Sequence, residues 1–82
     1  MLKSIYNQLI EGKLPCYTEY KRYAVYIDKS EQKGVIKVEF INFDCDYPEH
    51  KAEYYVGDNY ELLADRAEEI AKDAQLIIND FI

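Results

Sequence analysis

His50 is the single histidine of the sequence; it stands five residues after Cys45 and beside Asp44 and Asp46, with Cys16 far upstream. These are the residues whose types could ligate a metal or drive nucleophilic chemistry. Structural zinc sites draw ligands from close-spaced pairs such as C-x2-C, because one turn of chain then fixes two corners of the tetrahedron. No such pair occurs, so no metal is expected. A Cys–His nucleophile needs a base oriented by a third group in a concave site, and Cys45 and His50 in one polar loop do not impose that arrangement. Sixteen acidic residues make neighbouring carboxylates commonplace on any exposed face, which removes the force of an acid–base pair. Gly12, Gly34 and Gly57 are isolated, each with a turn or cap to explain it, so no phosphate-cradling loop is present. The sequence reads as non-enzymatic and free of cofactors.

What does carry information is charge and tyrosine. The net charge is -6. Residues 1–41 hold seven Lys/Arg against five Asp/Glu, whereas residues 42–82 hold three against eleven. A negative field on the second half repels phosphate backbones and attracts basic surfaces, so direct nucleic-acid binding there is disfavoured. Nine tyrosines offer large rigid contact area with a polar handle, suited either to the rim of a thin core or to an interface.

At 82 residues and 49% hydrophobic, the chain is expected to form one folded domain, residues 1–82, rather than a disordered acidic tail. It lacks an apolar run long enough to span a bilayer and a basic-then-apolar leader. A cytoplasmic protein with reduced thiols at Cys16 and Cys45 is the expectation.

The elements that must position these residues follow from periodicity. Leu2, Ile5, Tyr6, Leu9 and Ile10 recur at helical spacing, and Gly12 suits a left-handed stop, which predicts a first helix over 2–11. Residues 13–18, with Pro15, read as a connector. Residues 20–28 alternate, with Tyr23, Val25 and Ile27 on one face and Arg22, Ala24 and Tyr26 on the other. After the polar KSEQKG turn, residues 35–43 alternate again, placing Ile36, Val38 and Phe40 together. A loop over 44–51 and a short third strand over 52–56 follow. Asp58 and Glu61 have the spacing of a capping box and predict a second helix starting near Asn59. Its apolar stripe is Tyr60, Leu63, Ala67, Ile70, Ala71, Ala74, Ile77, Ile78 and Phe81; Glu61, Asp65, Glu68, Glu69, Asp73 and Asp80 lie opposite. The predicted class is α+β in the order α-β-β-β-α, a three-stranded antiparallel meander packed against a long C-terminal helix.

Over residues 23–78 this order resembles the HicB-type antitoxin family. The resemblance rests on YAVYIDK, the turn closing at Gly34, KVEFINF, and VGDNYELLADRAEEI with Gly57, Asp58, Glu61, Ala64, Ala67 and Glu69. It implies a partial ribonuclease-H-like domain that neutralises a HicA-like ribonuclease toxin. The sequence departs from the family in the long INFDCDYPEHKAEYY junction and in the extra first helix. No helix-turn-helix or ribbon-helix-helix segment follows Ile82 in this sequence, so operator binding is not carried over.

The resulting expectation is a small acidic interaction domain that occludes a basic, nucleic-acid-acting partner through Tyr54, Tyr55, Glu61, Asp65, Glu68 and Asp73. A phage-type DNA mimic that inhibits a nuclease, as in anti-CRISPR or anti-restriction systems, fits the same charge. A double-stranded-RNA-binding module shares the α-β-β-β-α order but wants a basic second-helix start where Asp58, Glu61 and Asp65 stand. Unprotected sheet edges predict a homodimer, and no membrane partner is expected.

Overall fold

The computed structural model describes residues 1–44 and 48–81. Its elements are α1 (Lys3–Ile10), β1 (Cys16–Tyr20), β2 (Tyr23–Lys29), β3 (Val35–Asn42), β4 (Pro48–Tyr55) and α2 (Ala67–Phe81). The class is α+β, but the sheet has four strands rather than the expected three, in the antiparallel order β1-β2-β3-β4.

α1 forms where its apolar residues recur, with Ile5 and Leu9 completely buried. Gly12, at φ 73°, closes it: its N–H bonds the Leu9 carbonyl at 3.0 Å and the Lys13 N–H bonds that of Gln8 at 3.0 Å. This is the double-bonded helix stop that a left-handed residue permits.

The two mispredicted segments share a cause. β1 begins directly after Pro15, within the stretch read as a connector, and a two-residue turn with Lys21 at φ 57° folds it back onto β2. β4 begins at Pro48, inside the predicted loop. Both are edge strands with one face in solvent, so charged residues interrupt them and weaken the apolar pattern. β4 shows this plainly: Ala52 and Tyr54 meet the core, whereas Lys51 and Glu53 are exposed. A register shift between Phe40 and Ile41 brings Ile41 opposite Pro48.

The core-facing side of the sheet carries Cys16, Val25, Ile27, Ile36, Val38 and Phe40, all buried. α1 and α2 both pack on this side, contributing Leu2, Ile5, Leu9, Ala67, Ile70, Ala71, Ala74 and Ile78 to one continuous core. The small alanines of α2 allow close approach. The first helix therefore leaves the opposite sheet face uncovered.

The predicted start of α2 is displaced by two turns. Tyr60 adopts φ 60°, a left-handed conformation that an L-residue cannot hold within an α-helix, so residues 58–66 form turns and the helix begins at Ala67. The capping box does not form: Asp58 accepts a hydrogen bond from the Tyr55 hydroxyl at 3.1 Å, and Glu61 folds back to accept the Asn59 N–H at 2.9 Å. The predicted stripe otherwise holds, with Leu63, Ala67, Ile70, Ala71, Ala74 and Ile78 buried and Tyr60 and Ile77 packed beside them; the Phe81 side chain lies outside the described part. Among the described residues no helix is long and apolar enough to cross a membrane.

Candidate functional site

Helical period brings Asp65, Glu68, Glu69, Lys72 and Asp73 to one side of α2 and the turn before it, where they line a shallow open depression. The helix is held in this orientation by contacts to β4. Arg66 donates to the Tyr55 carbonyl at 2.7 Å, stacks 5.3 Å over the Tyr54 ring, and pairs with Glu69 through two nitrogens. Tyr54 donates its hydroxyl to Asp73 at 2.9 Å.

The acids of this surface are therefore not equivalent. Glu69 is tied to Arg66, which holds its carboxyl below the usual range. Glu68 pairs with Lys72 at 3.0 Å, both well exposed, so this bond is weak and screened by salt. Asp73 is half-buried and occupied by Tyr54. Burial and the neighbouring Asp73 push the Tyr54 hydroxyl up to about 12. Asp65 is exposed and has no ion pair among the described residues.

The six residues predicted from sequence thus separate. Asp65, Glu68 and Asp73 come together. Tyr54 lies at their base, its ring against the core and its hydroxyl on Asp73. Tyr55 points to the other sheet face, 51% exposed, as strand alternation requires. Glu61 belongs to a separate groove with Gly12, Lys29, Asn59 and Tyr60. Sequence reasoning left Glu69, Lys72 and Arg66 out of the site. The i+4 and i+7 spacing from Asp65 was the signal that places Glu69 and Lys72 there, whereas the reach of Arg66 to β4 had none.

On the uncovered sheet face, two tyrosines are held by acids of their own strands. Tyr17 and Tyr26 donate to Glu19 at 3.0 Å and Asp28 at 3.1 Å, each two residues along its own strand. Both hydroxyls are held above their ordinary value, Tyr17 chiefly by desolvation and Tyr26 chiefly by its bond to Asp28. Register aligns Asp28, Lys37 and Glu53 in one cross-strand row and Tyr26, Glu39 and Lys51 in the next.

Of the residues first considered for metal or nucleophilic chemistry, Cys16 and His50 lie far apart. Cys16 is on β1 and His50 on β4, at opposite edges of the sheet. The Cys16 thiol is buried, donates to the Lys13 carbonyl at 3.0 Å, and is pushed up to about 11 by burial and by Asp28. A thiol so held is a poor nucleophile. His50 tilts against Phe40, ring centroids 5.6 Å apart. Cys45 and Asp46 lie outside the described residues, and among those described no group of three potential ligands could hold a metal.

The fold and surface define a small α+β domain with one carboxylate-rich helix side. Comparison of the chain with protein-family models, curated proteins and solved structures returned no match.

Proposed function

We propose that this chain is a cytoplasmic interaction domain whose acidic α2 surface captures a basic, nucleic-acid-acting protein and occludes its substrate surface. The observation that carries the reading is the gathering of Asp65, Glu68, Glu69 and Asp73 on one side of an element clamped to the sheet by Arg66 and Tyr54. Rigid placement matters, because charge arranged in advance raises association rate and excludes wrong partners without an ordering cost at each encounter. A HicA-like ribonuclease toxin is the partner that the HicB-type resemblance favours. The double-stranded-RNA-binding alternative loses its support in element order, since four strands rather than three separate the helices.

The test is capture of proteins from the native host on the tagged chain, compared with an Asp65→Lys/Glu68→Lys variant. That pair leaves the Tyr54–Asp73 bond in place, so the fold is kept while the surface charge reverses. Capture of a basic ribonuclease or nuclease by the unaltered chain, and its loss with the variant, is expected. Equal capture by both would refute the proposal, as would tight RNA binding at physiological salt. Competition between DNA and the chain for one site on the captured enzyme would identify the DNA-mimic form of the mechanism.

A further inference from the structure

The two edges of the sheet are finished differently. On β1 the outward-pointing backbone groups of Tyr17 are both taken by one side chain: Gln8 donates to the Tyr17 carbonyl at 3.0 Å and accepts the Tyr17 N–H at 3.2 Å. The amide of Gln8 thus imitates a neighbouring strand at Tyr17 and covers that part of the edge. On β4 the bond from the Val56 N–H to the Gly34 carbonyl sets the phase of the ladder, so 52, 54 and 56 face β3 while 51, 53 and 55 face outward. Arg66 occupies the Tyr55 carbonyl. The backbone groups of Lys51 and Glu53 have no such cover among the described residues, and their side chains are exposed on the helix-free face.

We infer that β4 pairs with β4 of a second copy of this chain, antiparallel about a twofold axis at Ala52, to form one continuous eight-stranded sheet. In this register Lys51 faces the partner's Glu53 and Glu53 faces the partner's Lys51, each as a hydrogen-bonded pair using the uncovered backbone groups. Charge complementarity identifies the occupant as a second copy. The row Asp28, Lys37, Glu53 ends on an acid at the edge and the row Glu39, Lys51 ends on a base, so the twofold joins them into a row of alternating sign across both sheets. Sliding to the nearest alternative registers that keep the ladder in phase sets Lys51 against Lys51 or Glu53 against Glu53. On the core side, Ala52 is small enough to meet its own copy. Leu76, on α2 three residues beyond Asp73, is 63% exposed. This assembly is independent of partner capture by the acidic surface.

Sedimentation velocity on the full chain at micromolar concentration tests it. The unaltered chain is expected to sediment at twice the monomer mass, Lys51→Glu alone and Glu53→Lys alone as monomers, and an equimolar mixture of the two variants as a dimer, since the mixed pair restores both opposite-charge contacts. A monomeric unaltered chain, a dimeric single variant, or a mixture that stays monomeric would each overturn the proposal. Should circular dichroism show either variant unfolded, Ala52→Cys in a Cys45→Ser background decides: exchange with oxidised glutathione, which leaves as two reduced glutathione molecules, links the chain into a disulfide dimer if Ala52 lies on the axis, and failure to crosslink overturns the assignment.

Discussion

Tyr54→Phe isolates the contact that fixes α2 against the sheet. The ring remains packed on the core and under Arg66, and only the hydroxyl and its 2.9 Å bond to Asp73 are removed. A hydrogen bond to a charged acceptor contributes more than a neutral one, but this site is part-exposed, which places the loss at about 1 kcal/mol. For a domain of this size that is a fall in Tm of roughly 4–8 °C at neutral pH, read by thermal unfolding in circular dichroism. The pH dependence adds a second, independent signature. The Tyr54 hydroxyl rises from its ordinary 10.0 to about 12 in the fold, by burial first and Asp73 second. Folding therefore favours the protonated form, and this contribution is complete below pH 10 and is lost as pH rises toward 12. The stability difference between the two proteins is expected to stay constant up to the lower value and to narrow above it. A variant as stable as the unaltered chain at neutral pH, with an unchanged alkaline profile, would refute the clamp.

Gly34→Ala should be more damaging, because a Cβ there falls 2.8 Å from the Gly57 carbonyl oxygen and the residue sits at φ 77°; a loss of about 2–4 kcal/mol is expected from denaturant unfolding. Gln8→Ala uncovers both outward groups of Tyr17, and concentration-dependent light scattering should reveal growth through the β1 edge that the unaltered chain does not show. Cys16, buried and raised to about 11, should resist iodoacetamide at neutral pH in the native chain and react on unfolding; rapid labelling of native Cys16, located by mass spectrometry, would contradict its placement.

Elements whose apolar residues face one continuous partner were legible in the sequence. β2 and β3 bury Val25, Ile27, Ile36, Val38 and Phe40 as expected, α1 buries Ile5 and Leu9 although Ile10, read on the same face, is 46% exposed, and the Leu63 to Ile78 stripe meets the core as its period requires. The edge strands were not, because a strand bonded on one side and wet on one face has only two or three core residues with which to announce itself. In β4 those are Ala52 and Tyr54, diluted by Lys51 and Glu53. The capping-box spacing at Asp58 and Glu61 gave a false helix start. Local side-chain chemistry offers the same carboxylates to a turn as to a helix, and the left-handed Tyr60 directs them to the turn.

The sequence by itself determined the α+β class, the surplus of acids in the second half and the side of the C-terminal helix that carries them, since these depend on composition and on periods of two and 3.6. Only tertiary structure decided what each acid is available to do. Asp65 and Asp73 read alike along the chain, yet one stands in solvent while the other accepts the Tyr54 hydroxyl nineteen residues away in sequence. Likewise, nothing local to Gln8 or Arg66 announces that one covers Tyr17 on the β1 edge and the other Tyr55 at the end of β4. Such contacts depend on where distant segments come to rest, and that is set by the packing of the whole core.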